Sequence, residues 1–489
     1  MPAGAEEFLI VTAGPAMGTL IPLAGDLVLG RSLLGDDPAI EPEHARIARS
    51  PDGELVLNGL GDREVRVNGA PATPGQTLAI GDTIELGGTK LDLGSVDRGR
   101  SQLFLSDTLR IAAATLTVPV PTLPATDPER LRVEFPVFDR VAYLNAGTDG
   151  PVPQRAQDAA AARVKVVLEE GRSGAAHDGW IHETAGELRK RYARLMACSP
   201  DEVALTRAAG DGIDLVVLGL ELGRGDEILT TDEEHFAMMA PLSAIQARRG
   251  VDVRLVPFAE IASEVGPRTK LVACSHVSWV TGRVIDTEAL ASVDVPVLLD
   301  GAQSLGAIPV NVRALACDFY AAPGQKWLCG PDGSGCLYVR ADRVGELFPA
   351  WPSYMSLAVK GRTLGFELHP GARRFDIGWL NGTLASWSLA ALDVLEEAGW
   401  DWVLERGPTL SDRFADMLRE RGLEVSPRDR STLVTWRHAN AADEVGRLLA
   451  ERIVIRDIPG EDLLRASVGA WSTEEELERL ADLTATSLP

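Results

Sequence analysis

The sequence is short of positive charge. Its 48 lysines and arginines face 71 aspartates and glutamates, a formal net charge of −23. That balance repels phosphate backbones and anionic headgroups, so neither a nucleic acid nor a membrane surface is expected as a partner. Cysteine is scarce as well. The five in the chain (Cys198, Cys274, Cys317, Cys329 and Cys336) show no C-x-x-C spacing, and none follows Cys336. Such a set excludes a disulfide framework and a zinc site and points to reduced thiols in a cytoplasm. Long apolar runs are missing too: Ile111–Val118 is far shorter than the ~20 residues a bilayer demands, and prolines follow it. The opening M-P-A-G-A-E-E has no basic n-region, so no secretion signal is expected. There is no internal repeat. What is present is ordinary globular composition, 45% hydrophobic over 489 residues, enough for two or three domains.

Residues 1–97 read as short strands between turns: F-L-I-V-T, L-V-L-G, A-R-I-A, E-L-V-L, V-R-V-N-G, T-L-A-I-G-D-T-I-E-L-G and K-L-D-L. This spacing predicts a small all-β sandwich. Residues 98–127 contain V-P-V-P-T-L-P-A-T-D-P, an extended, semi-rigid linker. From residue 128 strands alternate with helices, which argues for an α/β fold with a mostly parallel sheet over 128–381. Amphipathic helices are expected at Ala156–Glu169 and Ile181–Met196. The remainder, 382–489, carries a long Ala- and Leu-rich helix, short strands at Leu433–Trp436 and Ile453–Ile455, and a terminal helix at Thr473–Thr484. It reads as a smaller α+β domain.

The stretch from Val295 to Arg340 organises the chain. Buried-strand runs (Val295–Leu299, Cys317–Ala321, Gly335–Val339) are separated by glycine-rich turns. Asp300 closes the first run and Lys326 follows the second, where the carboxyl ends of strands in an open sheet face the ligand crevice. A carboxylate that can keep a pyridinium nitrogen protonated and a lysine that can form an imine are the two parts a pyridoxal phosphate site requires.

Two resemblances follow from motifs. G-R-S at Gly30–Ser32, E-H-A-R-I at Glu43–Ile47, V-N-G at Val67–Gly69 and I-G-D-T-I-E-L-G at Ile80–Gly87 resemble a forkhead-associated (FHA) domain, a module that binds phosphothreonine. Arg31 matches the family's phosphate-contacting arginine. Glu41 stands where a phosphate-binding serine is usual and Arg63 where an asparagine is, so the alternative is a domain that docks on a neighbour or on its own enzyme. His44 reads as a core or turn histidine.

From about Val141 onward, Y-L-N-A-G-T-D-G-P-V-P, E-E-H-F-A-M-M-A-P, S-H-V-S-W-V-T-G, D-G-A-Q-S, G-Q-K-W-L-C-G-P-D-G-S-G and R-F-D-I-G resemble the class V aminotransferases in order. The resemblance implies a homodimeric, pyridoxal-phosphate-dependent enzyme acting on an amino acid. Lys326 would carry the cofactor as an internal aldimine and move the α-proton. Asp300 would pair with the pyridine nitrogen, His235 would stack on the ring, and Gln303 would contact the phenolic oxygen. Arg374, or Arg373 beside it, would clamp the substrate carboxylate. Asn145, Ala146, Gly147 and Thr148 would line the substrate side. The phosphate cup departs from the family: Ala208-Ala209-Gly210 offers no hydroxyls, leaving the backbone N–H groups of Ala209 and Gly210. Pro323 and Gln325 replace a serine and a histidine, and Trp279 replaces an asparagine. With no cysteine after Cys336, desulfurase chemistry through a protein persulfide is not expected. Lyase (C–S β-elimination) or epimerase chemistry is the expectation, with transamination as an alternative. A binding or scaffold protein with a vestigial enzyme half is the alternative of another class. The stretch Trp351–Arg373 would shape side-chain specificity.

Overall fold

Asn68 and Gly69 both take positive φ, 53° and 80°, between the paired strands Val65–Val67 and Ala70–Pro71. That is the geometry an N-G pair favours in a two-residue hairpin. On either side the chain alternates: Val65 and Val67 are buried and Arg66 is exposed, as Ala45 and Ile47 are buried around exposed Arg46. The computed structural model describes residues 5–97, 102–104 and 128–486, less 14–19, 24–25, 35–38, 51–53, 61–62, 360–363, 365 and 379. The chain forms two units, Met1–Ala125 and Thr126–Pro489.

In the first unit, two antiparallel sheets share one core. The larger runs Leu20–Pro22, Ala5–Ala13, Thr89–Asp97, Thr83–Leu86, Val65–Val67, Ala70–Pro71, with Gln102–Phe104 also on Thr89–Asp97. The smaller runs Leu27–Leu29, Ala45–Arg49, Leu55–Gly59, Gln76–Leu78. Leu9, Val11, Leu91 and Leu93 of one pack with Leu29, Ile47 and Leu57 of the other. Arg31 donates from Nε and Nη2 to the Ile40 carbonyl oxygen (3.2 and 2.8 Å). His44 is fully buried, and its Nδ1 accepts from the Glu41 N–H (3.3 Å). Apart from Gln102–Phe104, the expected linker lies outside the described residues.

The second unit is built on seven strands: β1 (Val203–Thr206), β2 (Glu227–Thr231), β3 (Asp252–Val256), β4 (Thr269–Ser275), β5 (Val297–Asp300), β6 (Phe319–Pro323) and β7 (Gly335–Val339). They lie in the order β1-β7-β6-β5-β4-β2-β3. Only the β1–β7 and β7–β6 pairs are antiparallel. The middle strands are covered on both faces, so β5, β6 and β7 read as near-continuous apolar runs, whereas the edge strand β3 keeps Asp252 and Leu255 exposed. Along β5, Val297 and Leu299 join one core and Leu298 the other. Burying one such side chain contributes ~1.5–3 kcal/mol, and β5, β6 and β7 are buried at every position.

Helices α1 (Gln154–Glu170), α2 (Gly174–Met196), α3 (Ala209–Gly219), α4 (Phe236–Arg249) and α5 (Gly382–Ala398) surround the sheet. Gly212 brings α3 down on β6: a Cβ there would stand 2.8 Å from the Ala321 Cβ. The C-terminal part adds α6 (Trp400–Glu420), β8 (Leu433–Arg437), α7 (Ala441–Ala450), β9 (Arg456–Asp457), β10 (Leu463–Ser467) and α8 (Glu474–Ala485). Its core joins Leu410, Phe414, Trp436, Leu464 and Leu477. It lies in the same unit as the sheet. Ala142–Tyr143 pairs with Ile453–Val454, and Asn145 bridges to Ser467. The segment expected to open the large domain is therefore stitched to the C-terminal part. Among the described residues no helix is long and apolar enough to cross a membrane.

Candidate active site

Four neighbouring parallel strands, β6, β5, β4 and β2, end on one edge of the sheet. Just beyond or at those ends stand Lys326, Asp300, His276 and His235. Asp300 is 3% exposed; its Oδ1 accepts from the Ala302 N–H at 2.8 Å. Burial pushes its pKa up and Lys326 pulls it back. Gly301 leaves room beneath it for the Tyr320 ring, which a Cβ would overlap. The Tyr320 hydroxyl meets Ser304 Oγ (2.6 Å) and His276 Nδ1 (3.1 Å).

Lys326 makes no ion pair within 4 Å among the described residues. Burial brings its pKa down to about 8, against the opposing pull of Asp300 and with help from Arg465 and Arg456. Its loop is held tightly: the Gly150 N–H donates to the Gln325 carbonyl at 2.7 Å, and a Cβ on Gly150 would overlap the Lys326 carbonyl oxygen. Gly150→Ala should therefore displace the lysine backbone and weaken cofactor affinity about tenfold or more. Titration of the apo form with pyridoxal phosphate reads this directly, and an unchanged affinity would contradict it.

His235 caps α4, its Nδ1 accepting from the Ala237 N–H at 3.2 Å, so the neutral ring carries its proton on Nε2. Burial, Lys326 and two arginines hold its pKa down to about 4. The ring meets Trp279 edge-on at 4.9 Å. Gln303 is fixed at both ends: Oε1 accepts from Trp327 Nε1 (3.2 Å), and Nε2 donates to the Gly147 carbonyl (2.7 Å), leaving one N–H. Ala208 gives α3 no side-chain cap, so the first-turn N–H groups at Ala209 and Gly210 have no such acceptor. Gln325 Oε1 is buried and unpartnered. Ala146 is fully buried, while Asn145 Oδ1 accepts from Thr148 Oγ1 at 2.8 Å.

Arg374 sits in the turn Ala372–Phe375, and its Nε donates to the His369 carbonyl at 2.8 Å. Arg373 borders a separate cavity with Gly186, Lys190 and Asp201. The guanidinium groups whose charge reaches Lys326 are Arg465 and Arg456. They face each other across the β9–β10 ladder. Arg465 is 0% exposed. It donates to the Trp279 carbonyl (2.8 Å) and Thr148 Oγ1 (3.4 Å), while its Nε has no partner. Arg456 donates to the Asp457 carbonyl and to Thr148 Oγ1 (3.3 Å). Neither arginine has a carboxylate within 4 Å among the described residues. Burial and Arg456 pull the Arg465 pKa down to about 9, still charged at neutral pH. Sequence reasoning missed both. The usable signal was an arginine inside the apolar run L-L-R-A-S, at a strand position that must point inward.

Next to His235, Glu234 is buried and accepts from Thr231 Oγ1 (2.5 Å), the Ser275 N–H (2.9 Å) and Ser275 Oγ (2.7 Å). Burial raises its pKa to about 7. The folded state then binds the proton more tightly than the unfolded chain, so stability present below pH 4.5 is lost as pH rises through 7. Glu234→Gln should match wild type at pH 5 and exceed it by roughly 1–3 kcal/mol at pH 8.5. Denaturation at the two pH values checks this; a constant difference would refute it.

Residues 143–480 match the family model for aminotransferase class-V. Isopenicillin N epimerase of Streptomyces clavuligerus is 28% identical over 395 residues, 73% of this chain and 97% of that enzyme. A cysteine desulfurase of Klebsiella pneumoniae (strain 342) is 29% identical over 400 residues, 72% of this chain and 96% of that enzyme. Among solved structures, the cystine C–S lyase C-DES with its product cysteine persulfide superposes with a TM-score of 0.69. It is 28% identical and covers 73% of this chain and 100% of that chain. A lysine mutant of C-DES with glycine covalently linked to its PLP cofactor has the same TM-score at 29% identity, over 72% of this chain and 98% of that chain. An unpaired lysine near a buried acid, at the carboxyl edge of a mostly parallel sheet, agrees with these relatives: the chain belongs to the class V aminotransferase family of pyridoxal phosphate enzymes.

Proposed function

We propose that this enzyme cleaves a C–S bond by β-elimination from an amino acid, releasing a thiol and, after hydrolysis, pyruvate and ammonia. The observation that carries the reading is Arg465, a buried guanidinium with no carboxylate within 4 Å among the described residues, within electrostatic reach of Lys326. A buried charge left unpaired is costly unless a ligand completes it, and an α-carboxylate is the partner a guanidinium fork matches best. Arg456 opposite gives the site a second unpaired cation, which suits a substrate with a further acidic group, as cystine has.

The residues present fit pyridoxal phosphate. Lys326 would hold its carbonyl carbon, Asp300 its ring nitrogen, His235 its face, Gln303 its phenolic oxygen, and the start of α3 at Ala209 and Gly210 its phosphate, with Gln325 alongside. When bound, the group supplies an electron sink that acidifies the α-carbon. Lys326 Nζ, with its lowered pKa, then takes the α-proton. Arg465, rather than Arg374, fixes the carboxylate and so orients the Cα–H and Cβ–S bonds. Sulfur leaves as a free thiol, because no cysteine is poised to receive it. Burial raises all five thiol pKa values, Cys198 to about 12, and none follows Cys336.

Pyruvate release from cystine and cysteine conjugates tests the proposal. Amino transfer to an added keto acid without pyruvate would overturn it. The similarity to isopenicillin N epimerase favours a second reading, inversion at Cα, which loss of optical rotation without pyruvate would reveal.

We read the N-terminal unit as an FHA-like sandwich used for docking. Its support is the Arg31 guanidinium, which is engaged with the Ile40 carbonyl, and Glu41 nearby, which would repel a phosphate. Measurable affinity for a phosphothreonine peptide, lost in Arg31→Ala, would reverse that preference.

A further inference from the structure

A second cluster of cations stands apart from Lys326. Where α1, α2 and the start of α5 meet, a cavity of about 580 Å³ is lined by Arg163, Arg172, His177 and Asn381 and, on its apolar side, by Val167, Ile181 and Leu380. Among the described residues no acid lines it. Arg163 lies over the Trp180 ring, 3.7 Å from its centroid, and its Nε is buried without a partner. Its Nη2 is 2.9 Å from His177 Nδ1. A guanidinium can only donate, so Nδ1 accepts and the neutral His177 ring carries its proton on Nε2 as a further donor.

The pairing of nearby cations makes the absence of acid informative. Arg155 on the same helix is held by Glu134 and Glu397, and Arg191 on α2 by Glu187, Asp393 and Glu396. Neither Arg163 nor Arg172 has a carboxylate within 4 Å among the described residues, in a chain with 23 more acids than bases. At the mouth of α5, Asn381 Oδ1 accepts from the Thr383 and Leu384 N–H groups (3.0 and 3.2 Å). Its amide nitrogen makes no bond among the described residues. Gly382 lets the helix start close on the cluster: a Cβ there would be 2.8 Å from Trp180 Cζ3 and 3.2 Å from Arg163 Nε.

We propose that this cavity binds a small organic anion, a carboxylate or phosphate monoester with an apolar body. The head group takes Arg163, Arg172 and His177, and the body lies along Val167, Ile181 and Leu380. The site connects to the catalytic loop through α5, where Trp387 Nε1 donates to the Cys329 carbonyl, three residues past Lys326 (3.2 Å).

The test is calorimetric titration of the cofactor-loaded enzyme with phenyl phosphate, benzoate and inorganic phosphate. Saturable binding of phenyl phosphate or benzoate is expected, and which of the two binds better identifies the head group. Affinity should fall about tenfold or more in Arg163→Gln. A smaller loss is expected in Arg172→Gln, whose exposed side chain makes no bond among the described residues and leaves the fold intact. Arg465→Gln should bind as wild type does, which separates this site from the proposed catalytic one. The proposal is overturned by no saturable binding, by equal binding in both Arg163→Gln and Arg172→Gln, by loss in Arg465→Gln, or by inorganic phosphate binding as tightly as phenyl phosphate.

Discussion

Arg465→Met is expected to lower kcat/KM for the amino-acid substrate by a factor between about 30 and several thousand, while the melting temperature stays level or rises. The first half follows from the proposed role: removing one partner of a buried charge pair formed with the substrate costs ~2–5 kcal/mol. The second half follows from the free enzyme. There Arg465 is fully buried, faces Arg456 directly across the ladder and has no carboxylate within 4 Å among the described residues. Like charges opposite one another destabilise a sheet, and an apolar side chain of similar length relieves both repulsion and desolvation. The Trp279 carbonyl loses a donor, which offsets part of that gain. Activity lost with stability kept marks a substrate-binding role. A structural arginine would lose both together, and that outcome in kinetics and thermal melts would dispose of the assignment.

Lys326→Ala should reduce turnover by about four powers of ten or more, because in the proposed reading one side chain is both cofactor anchor and base. The variant should also fail to develop the visible band of lysine-linked cofactor. The wild type offers a companion measurement. With a pKa of about 8, roughly a tenth of Lys326 is the neutral nucleophile at pH 7, against roughly one part in 3,000 for an ordinary lysine. The rate of cofactor capture should therefore rise tenfold per pH unit below 8 and flatten above it. A rate still climbing through pH 9 would mean the amine is solvated, and the burial described above would be wrong.

Much of the catalytic edge was legible because it is local. Asp300 closes one short apolar run and Lys326 follows another, and a strand buried on both faces declares itself without alternation. Helix α2 was legible only from Ile181; its first turns, from Gly174, are polar and glycine-containing and carry no stripe. The arginines were hidden for a different reason. Arg456 and Arg465 lie some 130 residues past Lys326, on short strands whose partners are set by tertiary pairing with Asn145 and β8. No spacing rule connects them to the lysine. R-F-D-I-G pointed to Arg374 by its resemblance to the family's motif; in the structure the Arg374 Nε donates to the His369 carbonyl. Trp279 was read only as a lost asparagine. Its carbonyl anchors Arg465 and its ring meets His235, relations that need three dimensions.

The stitching of Ala142–Tyr143 to Ile453–Val454, and of Asn145 to Ser467, governs how this enzyme can be born. A ribosome delivers the lysine loop long before it delivers β10. Throughout that interval Thr148 and the carbonyl of Trp279 wait without the guanidinium that completes them. If Arg465 binds the substrate as proposed, vectorial synthesis yields a nascent chain able to build its sheet yet unable to recognise a substrate. In that reading competence arrives in one late event, when β10 clears the exit tunnel.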